Sequence, residues 1–317
     1  MIKFGSKTAI TVLLILLLLR EIDLHSVLDC VLPIDWRFIV VAAGLVLGNI
    51  WMAGARWFFV IRSIGYELSF CFTWQLTMVG AFFNQILPSA MGGDLVRLPY
   101  AARLGIPFAA ALKSVVLDRM ISFVGLLVLV LCCLPAVFPV IVDNRAHWSL
   151  LGVVIVALLL VGMLLSVAYW PIWLQEKSLL RPVLTLSISM REALFGRLRQ
   201  WILVSAVMIH AIRVLTVYVI SVGMSLQVSF LECLLLVPSA LLVTNVPISL
   251  GGWGLREGAF VVAFAYVGLS AEQSFALSAL FGLTNLLSSL AGGLVWIFLR
   301  RPVSTSQTAP FTHSDTR

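Results

Sequence analysis

The sequence predicts an all-α polytopic integral membrane protein, and three observations carry that prediction. Of its 317 residues, 61% are hydrophobic and only 11% are charged, with a mean hydropathy of +1.08. A soluble domain carries roughly 25% charged residues, so this chain is too apolar to cover a water-facing surface. The apolar stretches are continuous and rich in Leu, Val and Ala. Hydrocarbon admits only helices and closed barrels, and a barrel would need apolar and polar residues to alternate. Finally, Lys and Arg gather between the apolar runs, where the positive-inside rule puts them. The net charge of +7 is thereby explained without nucleic acid.

A helix needs about 17–25 apolar residues to cross a bilayer. The first run, 4–19, follows Lys3 and Lys7 and leads into Arg20, Glu21, Ile22 and Asp23. No small-residue cleavage site follows it, which predicts an uncleaved helix rather than a signal peptide. The second run, 36–61, contains Arg56, and the third, 72–87, stops at Pro88. Residues 95–112 are interrupted by Arg97, Arg103 and Pro107. Full spans return at 115–137 and 149–170, and again at 201–224 after a basic stretch. The run 231–246 stops at Pro247, 258–267 is a short return segment, and 273–299 is the last span. The expectation is about six full spans. Trp36, Trp148, Trp170, Trp173, Trp201 and Trp296 fall near run ends, as in an aromatic belt.

Two stretches share the pattern Pro-x-x-x-Gly-Gly-x-x-x-Arg. They run from Pro88 through Gly92 and Gly93 to Arg97, and from Pro247 through Gly251 and Gly252 to Arg256, 159 positions apart. Lys3 and Lys7 place the N-terminus inside; the basic 171–200 stretch and Arg300 with Arg301 place that loop and the C-terminus inside. With these anchors, 72–112 must enter and leave on the cytoplasmic side, and 231–270 on the other. Both read as re-entrant helical hairpins of an inverted repeat, with halves at about 1–140 and 141–301 of a single transmembrane domain. Residues 302–317 read as a disordered cytoplasmic tail. Gly and Pro are common in membrane helices, so a chance match is the competing explanation. Transporters with inverted repeats bind substrate near the midplane, where broken helices meet.

A charge at the centre of a membrane helix costs roughly 2.5–3.5 kcal/mol on insertion scales. Arg213 lies near the middle of 201–224 with His210 one turn before it, which predicts either a polar cavity or a structural ion pair. Arg56 is close enough to its run's end to snorkel. It precedes Pro88 by 32 residues, as Arg213 precedes Pro247 by 34, so the two arginines are candidates for equivalent positions. Asp118 and Arg119 fall in the first turn of 115–137, where an interfacial anchor is the plainer reading. Asp94 and Glu257 follow the glycine pairs. They serve as first-turn carboxylates at helix N-termini, as proton carriers, or as arginine partners. Free N–H groups at a restarting helix, with Arg97, Arg256 and Arg213 nearby, suit a phosphate-like anion. That anion is an anionic lipid headgroup or a small soluble ion.

The sequence lacks other chemistry. It has no phosphate loop, no His-Glu-x-x-His and no Gly-x-Ser-x-Gly motif, and no cofactor is expected. Cys30, Cys71, Cys132, Cys133 and Cys233 have neither metal-ligand spacing nor a disulfide framework. The 171–200 stretch mixes leucines with basic residues, as an amphipathic interfacial helix or a plain positive-inside loop would. Gly44 and Gly48 form a helix-packing pattern that a homodimer could use.

Several pieces together resemble the lysylphosphatidylglycerol synthase transmembrane-region family. They are Arg56-Trp57, the run from Phe83 and Asn84 to Pro88, Gly92-Gly93-Asp94 with Arg97, Asp118-Arg119, and Pro247, Ser249, Gly251, Gly252, Gly254, Glu257 and Gly258. The resemblance covers about 5–300 and implies lipid binding and movement between leaflets. With Arg213 and Arg256 from the charge reading, the candidate substrate site is Arg56, Asn84, Pro88, Gly92, Gly93, Asp94, Arg97, Asp118, Arg119, Arg213, Pro247, Ser249, Gly251, Gly252, Arg256 and Glu257. Full-length members also carry a soluble aminoacyltransferase domain, and nothing here could be that domain. The leading expectation is a lipid translocase or lipid-binding carrier of the cytoplasmic membrane, for an anionic phospholipid, glycolipid or isoprenoid lipid. The alternatives are a small-anion transporter, an intramembrane lipid-modifying enzyme, and an accessory subunit to a separately encoded lipid-synthesis enzyme.

Overall fold

The computed structural model describes residues 4–87, 92–137, 144–171, 180–244 and 252–299. These residues form twelve α-helices: α1 (Phe4–Glu21), α2 (Leu24–Val31), α3 (Trp36–Ser63), α4 (Phe70–Ile86), α5 (Gly92–Arg103), α6 (Phe108–Val137), α7 (Asn144–Ser166), α8 (Arg181–Phe195), α9 (Arg199–Gly223), α10 (Phe230–Thr244), α11 (Leu255–Ala265) and α12 (Ala271–Leu299). There is no strand among the described residues. Five helices are long and apolar enough to cross a membrane: α3, α6, α7 with the 3-10 turn after it, α9 and α12. Of the six expected spans, the first is the exception, since its apolar part, Thr8–Leu18, is shorter. The protein is an all-helical, multi-pass membrane protein.

Two helix starts differ from the sequence expectation. Helix α6 begins at Phe108 rather than at 115. Gly105, at φ +86°, ends the previous helix, and the Pro107 carbonyl accepts the Ala111 N–H at 2.9 Å. A proline needs no N–H partner at a helix start, so the feature that interrupts the apolar run also opens the helix. Asp118 and Arg119 therefore lie in the third turn, not the first. Helix α2 was not foreseen; the Asp23 side chain caps it, accepting from the His25 and Ser26 N–H groups. The Ser26 hydroxyl, followed by those N–H groups, holds the Asp23 carboxyl below its ordinary range. In the basic stretch, α8 buries Ser187, Met190, Ala193 and Leu194 while Ile188 and Phe195 stay exposed.

The packing repeats with a step of six helices. Helix α4 packs on α3, α5 and α12, and α10 packs on α9, α11 and α6. Helix α5 contacts α6 as α11 contacts α12, and α2 contacts α12 as α8 contacts α6. The pair that packs most extensively, α3 and α9, runs antiparallel. The Asp35 N–H, at the start of α3, donates to the Gly223 carbonyl at 3.2 Å. In mid-helix, Asn49 Nδ2 donates to the Ile209 carbonyl at 2.5 Å. At the other end, the rings of Phe59 and Trp201 stack 5.8 Å apart. The largest apolar cluster joins α6, α9, α10, α11 and α12, while Trp57, Leu76 and Leu98 centre a smaller one under α5.

Candidate functional site

Inside this frame is a cavity of about 370 Å³ lined from both halves of the chain. Helices α3, α4, α5, α6, α9, α10 and α12 contribute, together with Gly252 and Arg256. Five arginines line it: Arg56, Arg97, Arg119, Arg213 and Arg256. Of the residues proposed from sequence, Asn84, Asp94, Asp118 and Gly252 share the cavity with them. Glu257 stands behind Arg256. Pro88, Pro247, Ser249 and Gly251 lie outside the described residues.

Each carboxylate has an arginine. Arg56 donates through Nε to Asp118 Oδ1 at 2.7 Å and through Nη2 to Oδ2 at 3.2 Å, joining α3 to α6. Arg56 therefore does not snorkel: both side chains are buried, 6% and 9% exposed. Asp118 is likewise no interfacial anchor. Such fork-on-fork pairing fixes orientation as well as energy. Arg119 donates to Asp94 at 2.6 Å, tying α6 to α5. Arg97 approaches the same carboxylate only to 3.7 Å. Its guanidinium lies 5.2 Å from the Trp57 ring, against Gly80 of α4, and its Nε has no partner.

The second half is built differently. Glu257 accepts from Arg256 Nη2 and from the Gly254 N–H, both at 2.6 Å. It thus serves at once as helix cap and as arginine partner. The Ser278 hydroxyl completes the network, bonding Glu257 at 3.3 Å. Arg256 lies 4.6 Å from the Trp253 ring and packs against Gly282 of α12. Arg97 of α5 and Arg256 of α11 thus each rest on an aromatic ring and a glycine. Cation–π contact of this kind is strongest where water is excluded.

Arg213 differs from the other four. It lines the cavity with no ion pair or hydrogen bond among the described residues. Its neighbour His210 is buried, with Nε2 on the Ser122 carbonyl at 2.9 Å. A carbonyl only accepts, so the proton sits on Nε2 and leaves Nδ1 as an unpartnered acceptor. Arg56 and Arg213 are 157 residues apart, whereas the turns that close α3 and α9 are related by 160. The two arginines are nearly one turn out of register, sharing a cavity rather than an equivalent position.

Sequence reasoning had not singled out Asn49, Ser122, Asn285 and Ser289, which also line the cavity. Asn49 and Asn285 were the detectable ones, as amides inside apolar runs. Among the described residues, no group of three or more His, Cys, Asp or Glu side chains is placed to hold a metal ion.

The fold and cavity define a class: a multi-pass helical membrane protein whose interior holds an arginine-rich, polar cavity lined in part by the helix pairs α4–α5 and α10–α11. Residues 6–293 match the model of the lysylphosphatidylglycerol synthase TM region, and the chain belongs to that family. A UPF0104 membrane protein of Methanocaldococcus jannaschii is 30% identical over 115 residues, which are 36% of this chain and 34% of that protein. The match thus spans about a third of the relative's length. No solved structure matches the chain.

Proposed function

We propose that the protein is a flippase-like lipid translocase or lipid carrier of the cytoplasmic membrane. It takes an anionic headgroup into the arginine-lined cavity and exposes it alternately to the two sides. The observation that carries this reading is the convergence of Arg97, Arg256 and Arg213, from the two hairpins and a central span, on one cavity. Val46, Ile50, Leu241 and Phe281 line the same cavity and suit an acyl chain leaving for the bilayer. The six-helix step in packing and the antiparallel α3 and α9 support an inverted repeat. In that arrangement α4 with α5 enters from the cytoplasm and α10 with α11 from outside. Rocking of one half against the other would switch access around a fixed site. The basic residues flanking α1, α8 and α12 support cytoplasmic termini.

Reconstituted liposomes test the reading. Fluorescent phospholipids and glycolipids are expected to equilibrate between leaflets faster with the protein than without it, and Arg213→Ala is expected to slow the exchange. If no lipid moves faster with protein than in empty vesicles, the translocase reading fails. A lipid chemically altered on mass spectrometry would instead indicate an enzyme.

A further inference from the structure

We infer that the cavity is built for a headgroup carrying about two negative charges, a terminal phosphomonoester or a diphosphate, rather than a singly charged phosphodiester. This inference rests on the proposal that the cavity is the lipid site. It starts from a charge balance. Five arginines line the cavity, and three carboxylates accompany them, Asp94, Asp118 and Glu257. Arginine is not deprotonated in proteins. Asp118 is taken by Arg56, Asp94 by Arg119 and Glu257 by Arg256, each with a contact of 2.7 Å or less. Two guanidiniums remain in excess, Arg97 and Arg213. Residues 88–91 and 245–251, which flank the hairpin bends, contain no ionisable side chain and leave the balance unchanged.

The burial of these arginines points the same way. Arg97 and Arg56 are 8% and 6% exposed as side chains, yet Arg97 Nε and Arg56 Nη1 have no hydrogen-bond partner. Buried charges and donors left in that state are costly, so the excess positive charge calls for a compensating anion in the cavity. A phosphodiester brings one negative charge and would leave one guanidinium uncompensated. A phosphomonoester carries about −1.5 to −2 at pH 7 with three strong acceptor oxygens, and a diphosphate diester carries a similar charge. Either neutralises the excess and supplies enough acceptors for two guanidiniums. The amide of Asn84 extends the donor set, because its Oδ1 already accepts the Gly93 N–H at 2.9 Å and its NH₂ is what remains.

The test uses the full chain in nanodiscs of neutral lipid. Binding of phosphatidic acid, phosphatidylglycerol with the same acyl chains, and free inorganic pyrophosphate is compared at pH 7.5 and pH 5. Phosphatidic acid is expected to bind about tenfold tighter than phosphatidylglycerol at pH 7.5, one additional charge-assisted contact. That advantage is expected to vanish at pH 5, where the second phosphate proton, with a pKa of about 6, returns. Arg213→Gln is expected to remove the preference for phosphatidic acid, and Arg213→Lys, which keeps the charge, to retain most of it. Thermal midpoints of both variants check that they are folded. Equal affinity for the two lipids at both pH values overturns the two-charge inference while leaving the lipid site standing. No binding of either lipid overturns the lipid-site reading itself. Pyrophosphate binding as tightly as phosphatidic acid supports the two-charge chemistry but makes the ligand a free anion.

Discussion

Gly65 and Ser225 stand 160 residues apart and hold the same left-handed backbone, φ +86° and +56°, where α3 and α9 end. Behind each, the chain closes in the same way. The Tyr66 N–H reaches the Ile61 carbonyl at 3.2 Å, and the Leu226 N–H reaches the Ser221 carbonyl at 3.0 Å. This is the glycine-type helix stop, but at Ser225 a side chain occupies it. The left-handed conformation costs a residue with a Cβ roughly 1–2 kcal/mol, partly offset by glycine's greater freedom when unfolded. Ser225→Gly is expected to stabilise the protein by about 0.5–1 kcal/mol, and Gly65→Ala to destabilise it by a similar or larger amount. Thermal unfolding in detergent reads both.

Arg56 and Asp118 form a buried ion pair that joins two long helices across 62 residues of sequence. Removing one partner of such a pair strands a charge, at about 3–5 kcal/mol. Asp118→Ala is expected to lower the thermal midpoint sharply, and Arg56→Ala likewise. The double replacement Arg56→Met with Asp118→Leu leaves no charge uncompensated and is expected to recover most of the loss. A double mutant as unstable as the sum of the singles would show that the two residues act separately.

The packing of α5 on α4 depends on two glycines in contact. A Cβ at Gly93 would overlap the Gly80 carbonyl, whereas a Cβ at Gly44 meets nothing within 4 Å. The close approach also carries the Gly93 N–H to Asn84 Oδ1 at 2.9 Å. Gly93→Ala is therefore expected to separate α4 from α5 and cost several kcal/mol, comparable to the larger overpacking penalties. Gly44→Ala in α3 is expected to leave the thermal midpoint nearly unchanged, and it serves as the control. The open space beside Gly44 also means that its packing pattern with Gly48 is not used inside the described chain.

Long apolar runs announce membrane helices because nothing else needs them, so α3, α6, α7, α9 and α12 were legible in the sequence. The ends of α4 and α10 were legible through the proline and glycine punctuation that follows them in the sequence. Four things were not. The first two turns of α6 hid behind Pro107 and Lys113, which break an apolar pattern without breaking a helix. Helix α2 is eight residues long, too short for a hydropathy signal, and only the Asp23 cap marked it. The partners of the arginines were hidden because pairing is a property of packing. Arg256 pairs with the adjacent Glu257, while Arg119 reaches back 25 positions to Asp94. The small polar residues of the cavity gave little signal, since Ser and Thr satisfy themselves on their own helix, as Thr77 does on the Thr73 carbonyl at 2.8 Å.

The proposed inverted repeat makes a prediction about sides. Glu67 lies in the turn after α3 and Gln227 in the turn after α9, 160 residues later; both are exposed. If α3 and α9 are equivalent spans of opposite direction, these two turns face opposite compartments. Glu67→Cys and Gln227→Cys can be placed singly in a chain whose five native cysteines, Cys30, Cys71, Cys132, Cys133 and Cys233, have been replaced. A membrane-impermeant maleimide applied to intact cells is expected to label position 227 and to leave position 67 unlabelled until the membrane is permeabilised. The direction follows from the proposed orientation, with both ends of the chain in the cytoplasm by the positive-inside rule. The opposite pattern would keep the repeat and reverse its orientation. Labelling of both positions from one side would overturn the repeat, because two equivalent antiparallel spans cannot end in the same compartment.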